Sequence, residues 1–162
     1  MPCSASEHHL ADPAGAAWRQ TTFFPFALTA RHARGEVLRV QPEGPTYPTT
    51  LYGNMPAIDA TATHDPDSGE ITVLLVNRHP DQPVWVEVGI GAVGGVRVLE
   101  ASALSGTDPS AVNTEQNPYR VVPSPIQMTV NRATLGIELP PVAWACILLA
   151  PDRTGGRRRR LG

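Results

Sequence analysis

The stretch DPDSGEITVLLVN, residues 65–77, decides the fold class of this chain. It begins with a turn whose residues suit their positions, because Pro66 fixes φ and Gly69 takes a positive φ. The run from Glu70 to Asn77 is apolar, rich in β-branched residues and as long as a strand. Just before the turn, residues 58–64 alternate Ala with Thr. The sequence therefore predicts a β-hairpin whose second strand is central in a sheet.

Further short strands follow on both sides of this hairpin, separated by Gly, Pro, Asn and Asp. They are predicted at residues 36–40, 83–90, 96–103, 126–130, 134–139 and 142–149. Residues 104–125 form a long polar loop, and loops of that length inside a domain are often functional. Strands spaced in this way predict a mainly β protein, a jelly-roll-like β-sandwich of about eight strands.

One helix is predicted ahead of the strands, within residues 16–35. Its apolar stripe consists of Phe23, Phe26, Ala27, Ala30 and Ala33. Pro25 is tolerated in the first turn of a helix but not in its interior. The helix is therefore expected to begin near Thr22, with Thr22 as its cap, or else to kink at Phe24. Gly35 is expected to end it in the left-handed conformation.

These elements predict four segments along the chain. Residues 1–15 form a disordered N-terminus, residues 16–35 an isolated helix, residues 36–150 the β-sandwich, and residues 151–162 a disordered Arg-rich tail. The chain carries 17 Pro and 14 Gly, which suits many short strands joined by turns.

Charge and composition exclude several classes of protein. The net charge is −2, which gives no nucleic-acid signature, and the Arg run 157–160 is interpreted as a solvated tail. No apolar stretch reaches the roughly 18 residues of a membrane span, and no signal peptide is recognised, so a cytoplasmic location is expected. No disulfide between Cys3 and Cys146 is expected, and Cys146 is interpreted as a small buried hydrophobe.

Three patterns that could carry chemistry have simpler interpretations. His8 and His9, with Glu7 and Cys3, could bind a metal, but no second half-site follows at a suitable spacing and the segment is expected to be disordered. Gly-x-Ser-x-Gly is missing from the sequence, and Gly94-Gly95 is followed by no phosphate-loop lysine. No metal and no cofactor are predicted.

Six short strings, in one order along the chain, carry a resemblance to a known family. They are AWRQT with FFPF (17–26), RG (34–35), PTY with PAIDA (45–60), VNR (76–78), DPSAVNT (108–114) and LPPVAW (139–144). Together they resemble the C-terminal region of family-51 glycoside hydrolases, the α-L-arabinofuranosidases. The first string is similar to the last helix of that family's catalytic barrel.

The resemblance implies a (β/α)₈ barrel followed by a jelly-roll-like sandwich, and retaining hydrolysis of terminal α-L-arabinofuranosyl groups from arabinan or arabinoxylan. Retention needs a nucleophile and an acid/base carboxyl about 5–5.5 Å apart. In the family both lie on barrel strands upstream of the segment matched here, so no residue of this chain is given a catalytic role. The chain alone is expected to be inactive, with a truncated or frame-shifted gene as the simple explanation.

The carboxylates of the strands and turns are expected to cap turns or face solvent; they are Asp59, Asp65, Asp67, Glu70 and Glu87. Four aromatic residues are candidates for contact with a sugar or with a barrel, namely Trp85, Tyr47, Tyr52 and Tyr119. Trp85 alternates with Val84 and Val86, so it is expected on the face opposite the core. Contact with a barrel is the favoured interpretation, because such surfaces are apolar.

The sequence thus predicts a structural, non-catalytic sandwich whose partner is a (β/α)₈ barrel. Two alternatives remain open, a free-standing carbohydrate-binding module and a chain that complements a separately encoded barrel. The family's sandwich is usually completed by a strand from the N-terminus of the enzyme, and an unpaired edge favours self-association.

Overall fold

The computed structural model describes residues 17–91, 95–106, 108, 110–131 and 134–152. Within these residues the chain forms one helix and eleven strands. They are α1 (Phe23–His32), β1 (Glu36–Leu38), β2 (Thr46–Thr49), β3 (Gly53–Pro56), β4 (Ile58–His64), β5 (Ile71–Asn77), β6 (Val84–Gly89), β7 (Val96–Leu104), β8 (Ser124–Pro125), β9 (Met128–Val130), β10 (Thr134–Leu139) and β11 (Ala143–Pro151). The prediction of a mainly β fold preceded by one helix is confirmed.

Helix α1 begins directly after Thr22, which places Pro25 in the first turn, where a missing N–H costs nothing. The predicted start is therefore correct, and the alternative kink at Phe24 is not needed. The expected capping bond is missing, because the Thr22 side chain makes no hydrogen bond to the helix N-terminus. Gly35 has a φ of 74°, as predicted for the left-handed stop, although the helix itself ends at His32.

The larger sheet has six strands in the order β1-β4-β5-β11-β7-β8, and its neighbouring strands are antiparallel. The predicted hairpin is its β4–β5 pair, in which Ile58 lies opposite Asn77 and His64 opposite Ile71. Strand β11 is central, between β5 and β7, which explains why nearly all its residues are buried. The sequence already indicated this through the apolar run AWACILLA.

The smaller sheet has three strands in the order β6-β10-β9 and covers one face of the larger sheet. Period-two alternation points the valines of β6 and the Leu135, Ile137 and Leu139 side chains of β10 inward. They meet Ile71, Val73, Leu75, Ala145, Ile147 and Leu149 of the larger sheet in one hydrophobic core. Burial of this apolar surface between two sheets is the main source of stability in a β-sandwich.

Two short elements were not predicted from the sequence. Strands β2 and β3 form a separate two-stranded ribbon in residues that the sequence indicated only as turn-rich. Pro48 and Pro56 weaken the strand pattern there, but proline is tolerated in edge strands, where a missing donor costs little. The two-residue strand β8 pairs with β7 at the edge of the larger sheet.

Some predictions lie outside the described residues. These are the disordered N-terminus with Cys3, Glu7, His8 and His9, and the Arg tail. In the part of the chain that the structure describes, no helix is long and apolar enough to cross a membrane.

Candidate functional site

Helix α1 lies on the outer face of the six-stranded sheet, on the side away from the core. At its C-terminal end the Thr72 hydroxyl donates a hydrogen bond of 2.7 Å to the His32 carbonyl oxygen. The His32 Nε2 lies 3.4 Å from Oε2 of Glu100, an electrostatic contact without hydrogen-bond geometry. Thr72 and Glu100 both lie opposite Leu148, so this end of α1 sits over one row that crosses β5, β11 and β7.

The segment before α1 is held by Asn113, which belongs to the long polar loop. Asn113 is 1% exposed, and its Nδ2 donates hydrogen bonds of 2.9 Å to the carbonyl oxygens of Arg19 and Val121. Its Oδ1 accepts from the Val121 N–H at 2.7 Å. The loop is therefore ordered around one buried amide, and it is attached to the chain on which α1 begins.

A depression of about 500 Å³ opens between the N-terminal end of α1 and this loop. We call it the α1 cleft; its lining includes Pro25, Tyr47, Val76, Leu104, Ala111, Val121, Val142 and Trp144. The lining is largely apolar, and the α1 segment also carries exposed aromatic side chains. Phe26 is 78% exposed, Phe23 is 43% exposed and Trp18 is 40% exposed. The Arg19 guanidinium lies 4.8 Å from the centre of the Phe23 ring.

Charged groups at the α1 cleft are already paired. Arg78 forms an ion pair with Asp59, and Arg120 contacts Asp108 at 2.9 Å. Among the residues that line the cleft, all of them described, Asp108 is the one carboxylate. A retaining glycosidase needs two carboxyl groups at one site. The cleft is therefore suited to contact with an apolar surface and not to glycoside hydrolysis.

Val142 at the rim of the cleft has a strained backbone, with a φ of 49°. A β-branched residue rarely adopts this conformation. The Val142 N–H donates to the His79 carbonyl oxygen at 3.1 Å, which fixes the turn before β11. The strain leaves an apolar side chain 44% exposed at the cleft.

A second depression, of about 460 Å³, lies along β6. We call it the β6 groove; its walls are the segment 39–45, strand β6, and core residues of β4 and β5. Strand β6 is at the edge of the three-stranded sheet, because β10 is its one partner among the described strands. Edge strands present free N–H and C=O groups, so the groove is suited to an additional extended strand.

Trp85 lies on β6 and lines this groove, with 54% of its surface exposed. Its ring covers Gly136 of the neighbouring strand β10, where an added Cβ would lie 2.4 Å from Cζ2 of the indole. Gly136 faces outward but is buried, because this ring covers it. The prediction that Trp85 faces away from the core is confirmed, and it lies on the opposite sheet from α1.

The structure does not place the four candidate aromatic residues at one site. Tyr47 lines the α1 cleft, and its ring centre is 5.7 Å from that of His79. Trp85 lines the β6 groove instead. Tyr52 lies in the turn of the β2–β3 ribbon and Tyr119 in the long loop, and both are more than three-quarters exposed.

Asp65 serves the turn-capping role predicted for it. Asp65 accepts hydrogen bonds from the Asp67 N–H and the Ser68 hydroxyl at 3.0 Å each. These bonds stabilise the charged form and lower the pKa of the Asp65 carboxyl. A general acid needs a raised pKa, so Asp65 is suited to its turn and not to acid catalysis.

Sequence reasoning missed three polar side chains that organise the loops, namely Asn113, Asn77 and His79. Asn77 is fully buried at the end of β5, and its Nδ2 donates to the carbonyl oxygens of Gln82, Leu139 and Pro140. His79 follows directly after the β5 strand and the neighbouring Arg78. It is half-buried, and its Nδ1 accepts from the N–H groups of Asp81 and Gln82.

The position of Asn77 at the end of an apolar strand was the signal available in the sequence, since a buried amide must find hydrogen-bond partners.

Within the described ranges no group of three or more His, Cys, Asp or Glu side chains could hold a metal ion.

Comparison with known proteins identifies the same region of one enzyme family. Residues 5–143 match the family model of the α-L-arabinofuranosidase C-terminal domain. The chain is 40% identical over 154 residues to an intracellular exo-α-(1→5)-L-arabinofuranosidase of Streptomyces lividans, covering 94% of this chain and 23% of that protein. It is 36% identical over 142 residues to an exo-α-(1→6)-L-arabinofuranosidase of Bifidobacterium longum, covering 85% of this chain and 27% of that protein.

Solved structures agree with the sequence comparisons. A family 51 α-L-arabinofuranosidase from Bifidobacterium longum superposes with a TM-score of 0.76 and 36% identity, over 83% of this chain and 26% of that one. An α-L-arabinofuranosidase from Thermotoga maritima shares the fold, with a TM-score of 0.70 at 20% identity, over 82% of this chain and 29% of that one. The chain thus spans about a quarter of the length of the curated relatives that it matches.

Proposed function

This chain belongs to the α-L-arabinofuranosidase C-terminal domain family of family-51 glycoside hydrolases, and we propose on that premise that it braces a catalytic (β/α)₈ barrel. The proposed activity of the whole protein is retaining hydrolysis of terminal α-L-arabinofuranosyl groups. The role of the sandwich in this proposal is structural, because Asp59 and Asp108 serve ion pairs and Asp65 serves a turn. The names of several relatives contain the word intracellular, which supports a cytoplasmic location.

The observation that carries this proposal is the apolar surface of α1 and its cleft. One side of α1 rests on the sheet, while Phe26 and Phe23 are exposed, as is Trp18 before the helix. Pro25 of the same helix lines an apolar depression. Contiguous exposed apolar surface usually marks an interface. The segment also resembles the last barrel helix, so a barrel would continue on this side of the sandwich.

In this proposal the barrel contacts Tyr47 and the α1 cleft, and Trp85 lies away from it. We propose that the β6 groove receives an extended strand from the N-terminal part of the whole protein. The open edge of β6 and the core residues that line the groove support this second contact. Self-association through the same edge is the expected behaviour of the chain when that strand is missing.

A chimera tests the structural role directly. In the Streptomyces lividans relative, the 154-residue matched segment is replaced by this chain. We expect a folded enzyme that hydrolyses 4-nitrophenyl α-L-arabinofuranoside, whereas the isolated 162-residue chain does not. Turnover by the isolated chain that survives repurification would contradict the proposal, and so would a folded chimera without activity.

Two matched substitutions in the chimera test the position of the barrel surface. Phe26→Arg places a charge on α1, where the side chain is 78% exposed, and Leu51→Arg places one in the β2–β3 turn, where it is 82% exposed. Neither site is needed for the core. We expect Phe26→Arg to reduce the yield of active enzyme at least about tenfold, since burying an unpaired charge is costly, and Leu51→Arg to have little effect. Equal effects would refute this assignment.

Carbohydrate binding by the sandwich is the second candidate function, and the exposed Trp85 beside a groove favours it. The indole presents an exposed aromatic surface of the kind on which sugars stack. Affinity electrophoresis of the chain in gels with and without arabinan measures this binding, with Trp85→Ala as the variant and Tyr119→Ala as the control. Retardation that Trp85→Ala abolishes would support it, and unchanged mobility in arabinan would exclude it.

A further inference from the structure

Polar contacts hold α1 to the sheet at its C-terminal end and to the long loop just before its N-terminal end. None of the ten described residues of α1 is fully buried, in contrast to most residues of β11. The contacts at its C-terminal end are the Thr72 hydrogen bond to the His32 carbonyl and the His32–Glu100 pair. The contact before its N-terminal end is the Asn113 hydrogen bond to the Arg19 carbonyl.

Cys146 lies on the sheet face that α1 covers. Pro25 lines the cleft together with Trp144, and His32 sits over the row that contains Leu148. Cys146 is midway between those two β11 residues and on the same face, since side chains alternate along a strand. The thiol is therefore beneath the middle of α1, which accounts for its exposure of 3%.

The interface beneath α1 also contains a buried polar atom without a hydrogen-bond partner. The Ser102 hydroxyl is buried and makes no hydrogen bond, and Ser102 lies directly opposite Cys146. Such an atom gains hydrogen bonds to water when it is exposed, which lowers the free energy of opening. Among the described residues, none from α1 belongs to the sandwich core on the other side of the sheet, so opening leaves that core intact.

We propose that α1 is a detachable cover: it leaves the six-stranded sheet as a unit, while the sandwich stays folded, and this opening exposes Cys146. The inference goes beyond the proposed function, because it concerns the inner side of α1, whatever the outer side binds. Elements with few buried apolar contacts typically open locally, at a free-energy cost lower than that of global unfolding.

Thiol labelling measures the opening in the full chain. Cys3→Ser leaves Cys146 as the single thiol, since the chain has 2 Cys, and 5,5′-dithiobis(2-nitrobenzoic acid) at pH 8 is the probe. We expect labelling far faster than global unfolding allows, with a weak dependence on urea. A urea dependence as steep as that of global unfolding would overturn the proposal.

Two substitutions separate opening from unfolding. Thr72→Val keeps the shape of the side chain but removes the hydroxyl that holds His32, and we expect labelling about tenfold faster. Ile137→Val lies in the core on the other sheet, so it lowers the global stability but leaves the labelling rate within about twofold. Glu100→Gln serves as a second anchor variant if Thr72→Val does not fold. The proposal would be refuted if the labelling rate of Ile137→Val rose by the full factor expected from its loss of global stability.

Discussion

The buried side chain of Asn77 offers the sharpest test of how this sandwich is held together. Its two Nδ2 hydrogens serve three carbonyl oxygens, those of Gln82 at 3.0 Å, Leu139 at 3.1 Å and Pro140 at 2.8 Å. Its Oδ1 accepts from the His79 N–H at 2.9 Å. The amide thus joins the end of β5, the start of the β5–β6 loop and the β10–β11 turn.

The magnitude for Asn77→Ala follows from these contacts. The substitution leaves the His79 N–H and up to three carbonyl oxygens without their partner. A buried unpaired group costs about 1–3 kcal/mol of stability, and a partly exposed one costs near the lower value, so the total loss of stability is about 4 kcal/mol. For a chain of this length that corresponds to a melting temperature lower by about 8–16 °C.

Asn77→Asp separates hydrogen bonding from packing. Aspartate keeps the shape and the acceptor for the His79 N–H, but it has no donor and turns a negative charge toward three carbonyl oxygens. We expect urea unfolding followed by circular dichroism to show a loss at least as large as for Asn77→Ala. Asn54→Ala, on the exposed strand β3, is the control and should cost less than about 0.5 kcal/mol. A loss below about 1 kcal/mol for both Asn77 variants would refute the reasoning.

Three further predictions concern single positions. Gly35→Ala should cost more than about 3 kcal/mol in urea unfolding, because φ is 74° and the new Cβ would lie 2.2 Å from a backbone oxygen. Gly53→Ala, with a φ of 67° and open space around the new Cβ, should cost about 1 kcal/mol. Equal losses for the two variants would contradict this prediction. Gly136→Ala should displace the covering indole, shift the tryptophan fluorescence and cost about 1–3 kcal/mol, whereas Gly89→Ala meets no atom within 4 Å and should leave the fluorescence unchanged. Burial, and then the charge of a nearby glutamate, raise the pKa of the Cys146 thiol from 9.0 to about 11. The folded state therefore keeps this proton to higher pH than the unfolded state, so stability is lost as pH rises from 9 to 11, by an amount on the order of 2 kcal/mol. Cys146→Ala should abolish that part of the pH dependence.

Local sequence determined those elements in which one pattern dominates. The turn DPDSG, the apolar run of β5 and the alternation of β6 each predict a structure without reference to the rest of the chain. The ribbon of β2 and β3 was missed, because its prolines are ordinary for a turn and acceptable in a strand only at an edge. That condition depends on which strands lie next to it.

The candidate site was less predictable than the fold. The sequence singled out four aromatic residues by type and by exposure, which are properties of single positions. Whether they share a surface depends on the order of the strands, and Tyr47 and Trp85 lie at different depressions. The apolar stripe of α1 was predicted from the sequence. The cleft beside the helix also needs the long loop, which lies about ninety residues later in the chain and contacts Arg19 through Asn113.

The sequence by itself determined the fold class and the positions of most strands, because hydrophobic periodicity and turn chemistry act over neighbouring residues. The family was indicated by the resemblance of six short strings. The tertiary structure alone decided which sheet face α1 covers, which depression Trp85 lines, which buried amides organise the loops, and where an apolar surface remains for a partner. Those features depend on contacts between residues far apart in the chain, and no local pattern records such contacts.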